Sequence, residues 1–590
     1  MAVRVPEIPA IKSTSGWRST INLPIVVVCL AAAFLSGRSI RDEGAVSVSG
    51  DMAQYLMDGA FIHDLVRDAP VTNVLGYTYR YYARYPALSL GHHPLLLPVA
   101  EAPLFAVAGI SVFSGRLTII LFLVVGMALW FKLVASKFDD VTAVLSSLLL
   151  ITTPTIVTHS QAVLSEIPTL ALIIGSLFFL ERYCRRQTRL DLVGFVGCVV
   201  SSVYAKQVAV LMLPLYAGYI AWSFGLRGLL SKRMFGVGAV IALLISPLVP
   251  LTLWLSPYNV AVILKGAPPV VSSTSPDATP APGSSVGSAP YVPTPAPPSA
   301  AEPTPTGFVD SFTRYLRHLR HQIALPLAVL AAIAAAVGIA RKDLLVLLPL
   351  VWIAVFLLEL SALAYVISRL LIYTIPPICL LAATLSRGLT RPVRIAGVGF
   401  VLAGVVYQTT LVARIVPQGA RGYEEAARFV LDRAPGDAVL FSGATDTAYF
   451  AFFVRKHDPD RRLVVLRADK ILTTSRMDIP NVRDRIERPE QIRGLLRAYG
   501  VRYVVVEDAV YPPGPLRWLQ QEVQTDGFAL VRRIPLQSQS PRLVNASVGV
   551  YEFLAHTRAD GSVSLDLDIP LIGRSINVPM RDLIQPDVAR

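Results

Sequence analysis

The chain has 590 residues, 53% of them hydrophobic and only 16% charged, with a mean hydropathy of +0.55. That balance excludes a soluble globular protein and marks a polytopic membrane protein. The formal charge of +14 does not point to nucleic acid, because Lys and Arg are spread over short loops and the C-terminal region with no basic stripe alternating with aromatics. The four cysteines lie in or beside apolar stretches without paired spacing, so neither a disulfide framework nor a Cys-based metal site is implied.

A crossing helix needs about 20 mostly apolar residues. On that rule the sequence predicts eleven, near 21–37, 115–135, 140–158, 167–183, 190–205, 207–224, 234–256, 322–340, 344–366, 370–386 and 395–414. The basic start and first apolar stretch read as an uncleaved first crossing, because many more follow. Positive charge sets the orientation. With residues 1–20 as a cytoplasmic N-terminus, Lys132 and Lys137, the run from Arg182 to Arg189, Arg227 to Arg233, Arg341 and Lys342, and Arg387 to Arg394 all fall inside. The short outer connections carry only Lys206 and Arg369.

A long polar segment, 38–114, then forms the first outer loop. It holds Asp51, Asp58, Asp64, Asp68, the pair His92-His93, and a Tyr/Arg-rich middle. Its residues 94–112 are apolar enough to be counted as a span, but counting them would put the arginine clusters outside. Pro94, Pro98, Pro103 and Glu101 fit a helix that lies on or dips into the outer face. Residues 267–306, rich in Pro, Ser, Thr and Ala, are expected to be disordered. Residues 308–322 put Phe308, Phe312, Tyr315, Leu316 and Leu319 on one face and Arg314, Arg317 and Arg320 on another, an interfacial amphipathic helix. From about 415 to 590 the composition turns soluble, and alternating strands and helices predict a small extracytoplasmic α/β domain with a mostly parallel sheet.

Asp51 with Tyr55 four residues on, then the Pro-rich stretch His92-His93-Pro94-Leu95-Leu96, then Gly115-Arg116-Leu117 opening a helix, resembles the start of the GT-C glycosyltransferases. Ser165-Glu166-Ile167-Pro168, Tyr204-Ala205-Lys206, and Arg369 with Tyr373 and Pro376 extend the resemblance, which covers about 20–520. The group it is most similar to is that of the bacterial protein O-mannosyltransferase-like and lipid A aminoarabinose transferase-like enzymes. Members commonly have Asp-Glu where this chain has Asp51-Met52, and often Asp in place of Glu166. The resemblance implies a GT-C-like membrane domain over 21–414. It also implies a bacterial cytoplasmic-membrane location, and transfer of a sugar from a polyprenyl-phosphate carrier to a glycan, lipid or protein hydroxyl, with inversion.

The chemistry asks for few groups. A hydroxyl is a poor nucleophile until a carboxylate takes its proton, so Asp51 is the candidate base. A departing lipid phosphate needs cations where its charge develops, and Lys206 and Arg369 stand at outer helix ends that the charge rule would otherwise leave neutral. They could equally snorkel to headgroups. Glu166 is the second catalytic candidate; it also suits a helix N-terminus on dipole grounds alone. Tyr55, His92, His93 and Tyr373 complete the candidate substrate site. Adjacent histidines do not face one metal from a helix, so no metal site is assigned, and the need for a divalent cation stays open. Two other functions fit a polytopic chain: a transporter or lipid flippase, for which Glu359 inside the ninth helix is the main feature, and a non-catalytic partner in envelope-glycan assembly.

Overall fold

The computed structural model describes residues 23–42, 46–47, 50–90, 93–255, 307–363, 366–388, 390–415, 419–443, 448–474, 483–509, 511, 514–538, 543, 545–559, 561–569 and 574–584. The expected N-terminal tail, the 267–306 segment and His92 lie outside the described residues.

Over its described residues, every stretch expected to cross the bilayer is mainly helical. Among the described residues, seven helices are long and apolar enough to cross, or up to nine when two bent pairs each count as one span. One such pair, Asp140–Thr152 with Pro154–Ser160, bends by 63° where Pro154 cannot donate to the preceding turn. The other, Phe308–Gln322 with Leu325–Ala340, bends by 116°, so the amphipathic segment runs roughly across its successor. The remaining two expected crossings, Leu23–Gly37 and Arg189–Ala205, have 15 and 17 residues, about 22 and 26 Å of helix. Sequence marks several starts: Ser111, Asp139 and Thr188 each accept a backbone N–H three residues on.

The segment after the first helix is itself folded. Helices Gly50–Asp68, Val74–Arg84 and Leu96–Ala108 occupy it. The last has 13 residues, about 20 Å, too short for an apolar core of about 30 Å. Gly59 sits where Leu96–Ala108 packs against Gly50–Asp68, and a Cβ there would collide with the Glu101 carboxylate.

The C-terminal region carries a five-stranded sheet in the order Val464–Arg467, Ala438–Ser442, Val501–Glu507, Ser547–Phe553, Phe528–Pro535. The first three strands are parallel, and the last two are antiparallel to their neighbours. The expected mostly parallel sheet is therefore mixed: after Val501–Glu507 the strand Phe528–Pro535 takes the edge and pairs with Ser547–Phe553, rather than adding a further parallel strand. A hairpin of Ser564–Ile569 and Arg574–Pro579, not foreseen, packs on Val74–Arg84.

The two polar regions are bonded to each other. Arg455 Nη2 and Nε reach the two Asp64 oxygens at 2.5 and 2.7 Å, with both side chains buried. Arg461 lies 2.6 Å from Asp68 and donates to the Tyr77 hydroxyl at 2.8 Å. Tyr81 donates to Asp64 at 2.8 Å, and Lys470 bonds Tyr82. Tyr77, Tyr81 and Tyr82 are buried in this contact.

Candidate active site

Four of the sequence candidates meet at one end of the helix bundle, and each is placed by an interruption in regular structure. Asp51 stands in the first turn of Gly50–Asp68. Glu166 opens Glu166–Arg186, two residues before Pro168, a position where a missing N–H costs nothing. Lys206 is extended, with φ −159° and ψ 124°, between Arg189–Ala205 and the short 3-10 helix Gln207–Met212. Arg369 lies in the 3-10 helix Ser368–Thr374, ahead of Ile375–Ala383, whose start tolerates Pro376 and Pro377.

Arg369 bridges the two acids: Nη1 bonds Asp51 Oδ2, and Nε lies 3.3 Å from Glu166 Oε1. Lys206 Nζ donates to the same Glu166 oxygen at 2.6 Å. Glu166 is fully buried, and among the described residues its Oε2 has no hydrogen-bond partner. Asp51 is about a quarter exposed and Arg369 about a third, so the buried carboxylate anchors the cations while the other acid faces an opening. Burial works to raise the Asp51 carboxyl. Arg369, His93 and Lys206 outweigh it and hold the group below the usual carboxylate range.

His93 Nε2 is 3.8 Å from Asp51 Oδ1, and its ring stacks on Tyr55 with centroids 4.5 Å apart. Tyr55 donates to Ser165 Oγ at 2.9 Å, so Ser165 makes no side-chain cap to the helix it precedes. Tyr373 is fully buried, edge-on to Phe356 at 5.8 Å. It packs under the cluster rather than in the opening.

Three neighbours were not among the site candidates read from the sequence. His159 Nδ1 contacts the Thr155 carbonyl at 2.9 Å. Ser165 matters through Tyr55, and Asp58 accepts both the Ser89 N–H and hydroxyl. The His159 contact is an i, i+4 one within its own helix, whereas the Tyr55–Ser165 and Asp58–Ser89 pairings join segments 110 and 31 residues apart whose proximity only the fold creates. Arg116 donates to the carbonyls of Ser39, Asp42 and Gln161, which ties the helix ends together around the site. Among the described residues no group of three or more His, Cys, Asp or Glu is arranged to hold a metal, and no cation pairs with Glu359.

Such a cluster can take a phosphate on two cations and a proton on one carboxylate. Residues 92–254 match the family described as dolichyl-phosphate-mannose-protein mannosyltransferase. ArnT from Cupriavidus metallidurans in the apo state is similar at a TM-score of 0.53 and 11% identity, over 90% of this chain and 98% of that one. The same protein bound to undecaprenyl phosphate gives 0.54 and 12%, over 90% and 97%. AglB, the oligosaccharyltransferase of Archaeoglobus fulgidus, in complex with an inhibitory peptide and a dolichol-phosphate, gives 0.50 and 12%, over 82% and 69%. No curated protein matches the chain by sequence. The chain thus shares its fold with ArnT and AglB, and over residues 92–254 it is similar to the dolichyl-phosphate-mannose-protein mannosyltransferases.

Proposed function

We propose that the protein moves a sugar from a polyprenyl-phosphate carrier to an acceptor hydroxyl at the outer face of the cytoplasmic membrane. The anomeric centre inverts, and Asp51 acts as general base. The observation that carries this reading is Arg369 bonded to both Asp51 and Glu166, with Lys206 on Glu166. The carrier phosphate competes with Asp51 for Arg369. Once the guanidinium turns to phosphate, Asp51 loses its strongest cationic partner and becomes a better proton acceptor, so donor binding arms the base.

The acceptor oxygen then attacks the anomeric carbon from the face opposite the phosphate. Its proton passes to Asp51, the bond from the anomeric carbon to the phosphate oxygen breaks, and the electron pair leaves with the lipid phosphate. Arg369 and Lys206 meet that growing charge. Glu166, buried between them, holds both cations in place when the phosphate is gone. That ArnT and AglB have been solved with undecaprenyl phosphate and a dolichol-phosphate supports a carrier of this chemical class.

Sidedness rests on two supports. The polar segment 50–108 and the C-terminal region touch, so they share a side; ten apolar stretches separate them, an even number if Leu96–Ala108 does not cross. The loops at the opposite end hold the arginine clusters, which cytoplasmic loops retain. The same topology supports reading three domains, 1–20, 21–414 and 415–590.

The test incubates the purified protein with a panel of polyprenyl-phosphate sugars and suitable acceptors. Mass spectrometry follows release of the carrier phosphate, and NMR reads the anomeric configuration of the product. At least one donor should be consumed, with inversion. No consumption across the panel, or retention at the anomeric centre, contradicts the reading.

A further inference from the structure

The helix Phe308–Gln322 buries Ser311 and Tyr315 and leaves the opposite side open. That side grades from apolar to basic. Val309 is 73% and Leu316 44% exposed, and beside them Arg317, Arg320 and His321 are exposed as well. Arg314 is committed to Asp310 at 2.8 Å, but among the described residues Arg317 and Arg320 enter no ion pair. With a 116° bend into Leu325–Ala340, the helix lies near the membrane plane if its successor crosses. A helix so placed sets aliphatic side chains among lipid tails and guanidinium groups at phosphate level.

This helix is also fastened to the turn that carries Arg369. Tyr315 OH accepts from the Ile367 N–H at 3.1 Å, and Gln322 Nε2 donates to the Ser368 carbonyl at 2.5 Å. On its other flank the Gln322 carbonyl accepts from Thr155, whose own carbonyl meets His159 beside Glu166. A cationic surface at headgroup depth thus runs directly into the segment holding the cation of the site.

We propose that Arg317 and Arg320 form a docking port for the phosphate of the long-chain isoprenoid carrier, held there with its stem along Val309 and Leu316 before it reaches Arg369. The inference rests on the transfer reading for its occupant, but its test needs no turnover. Charge complementarity selects a phosphate, and the neighbouring exposed aliphatic residues select one joined to a membrane-embedded chain rather than a free anion. The port raises the local concentration of an anionic lipid that is scarce among bulk headgroups.

The experiment places the full-length protein in phosphatidylcholine nanodiscs and titrates undecaprenyl phosphate, counting retained lipid by native mass spectrometry. The R317Q/R320Q variant should retain it roughly 10- to 30-fold more weakly, the scale expected for two basic side chains at a membrane surface. R317K/R320K should stay near wild type, and R341Q/K342Q at the other end of the bundle should not change. Wild-type binding by R317Q/R320Q overturns the port. So does equal loss in R317K/R320K, which would mean helix packing rather than charge. Full displacement by an equal mole fraction of phosphatidylglycerol also overturns it, because the site would then take any anionic headgroup. Port-dependent binding without consumption of any sugar donor would support the port and contradict the transfer reading. Consumption with port-independent binding would do the reverse.

Discussion

Asp51 and Asp58 lie two turns apart on one helix, and their surroundings push them in opposite directions. Asp51 faces Arg369, which with His93 and Lys206 holds it below the usual carboxylate range. Asp58 is fully buried; burial pushes it up to about 7 although Ser89 donates twice to it, at 2.9 and 2.6 Å. A carboxyl raised in the folded state binds its proton more tightly there than in the unfolded chain. Its stabilising effect is complete below about pH 4, is lost as pH rises toward about 7, and is level above. The apparent melting temperature in detergent should therefore fall between about pH 4 and pH 7, and Asp58→Asn should flatten that fall. At pH 8 the variant should be more stable by about 2 kcal/mol, of the order expected when a raised carboxyl no longer has to ionise. Parallel melting curves for the two proteins would contradict this. Asp51 was legible in the sequence because it falls at a family-like distance from Tyr55 and the His-Pro stretch. Asp58 was not, because Ser89 lies 31 residues away and no local pattern announces the pairing.

At the scale of elements, apolar periodicity and length placed the bundle helices well, but 140–158, read as one helix, bends by 63° at Pro154, and 370–386 opens with a 3-10 turn before Ile375–Ala383. The partner of the tyrosine-rich helix Val74–Arg84 stayed hidden. Sugar stacking and a membrane belt both fit its composition, but Tyr77 and Tyr82 bond Arg461 and Lys470, 384 and 388 residues further along, and Tyr81 bonds the Asp64 that holds Arg455. Charge pairing across such a distance leaves no trace in spacing. The same holds for Asp64 and Arg455, whose side chains are 0% and 2% exposed. Removing one member strands a buried charge, so Arg455→Met should cost about 3–5 kcal/mol and lower the melting temperature. Adding Asp64→Leu should restore much of that loss, because a buried ion pair replaced by apolar groups on both sides is near neutral. A double variant no better than Arg455→Met would show that the pair is not the element that fastens the two regions.

For the whole molecule, chain parity and charge asymmetry are the grounds for the proposed orientation, in which the acids of the site and the C-terminal region face away from the cytoplasm. Arg462 is exposed in the C-terminal region, and Arg189 is exposed at a helix start on the opposite end. In right-side-out vesicles an impermeant maleimide should label Arg462→Cys and spare Arg189→Cys, with the pattern reversed in inverted vesicles. The opposite result would mean that the chain is inserted the other way round. The central claim, that Asp51 takes the acceptor's proton, is tested most directly by Asp51→Asn. The asparagine keeps the shape of the side chain but cannot serve as a base. Single-turnover release of carrier phosphate should fall by roughly 100- to 10,000-fold, the usual worth of a general base, while retention of undecaprenyl phosphate stays at the wild-type level or above. Release at the wild-type rate from a correctly inserted Asp51→Asn protein would contradict the account.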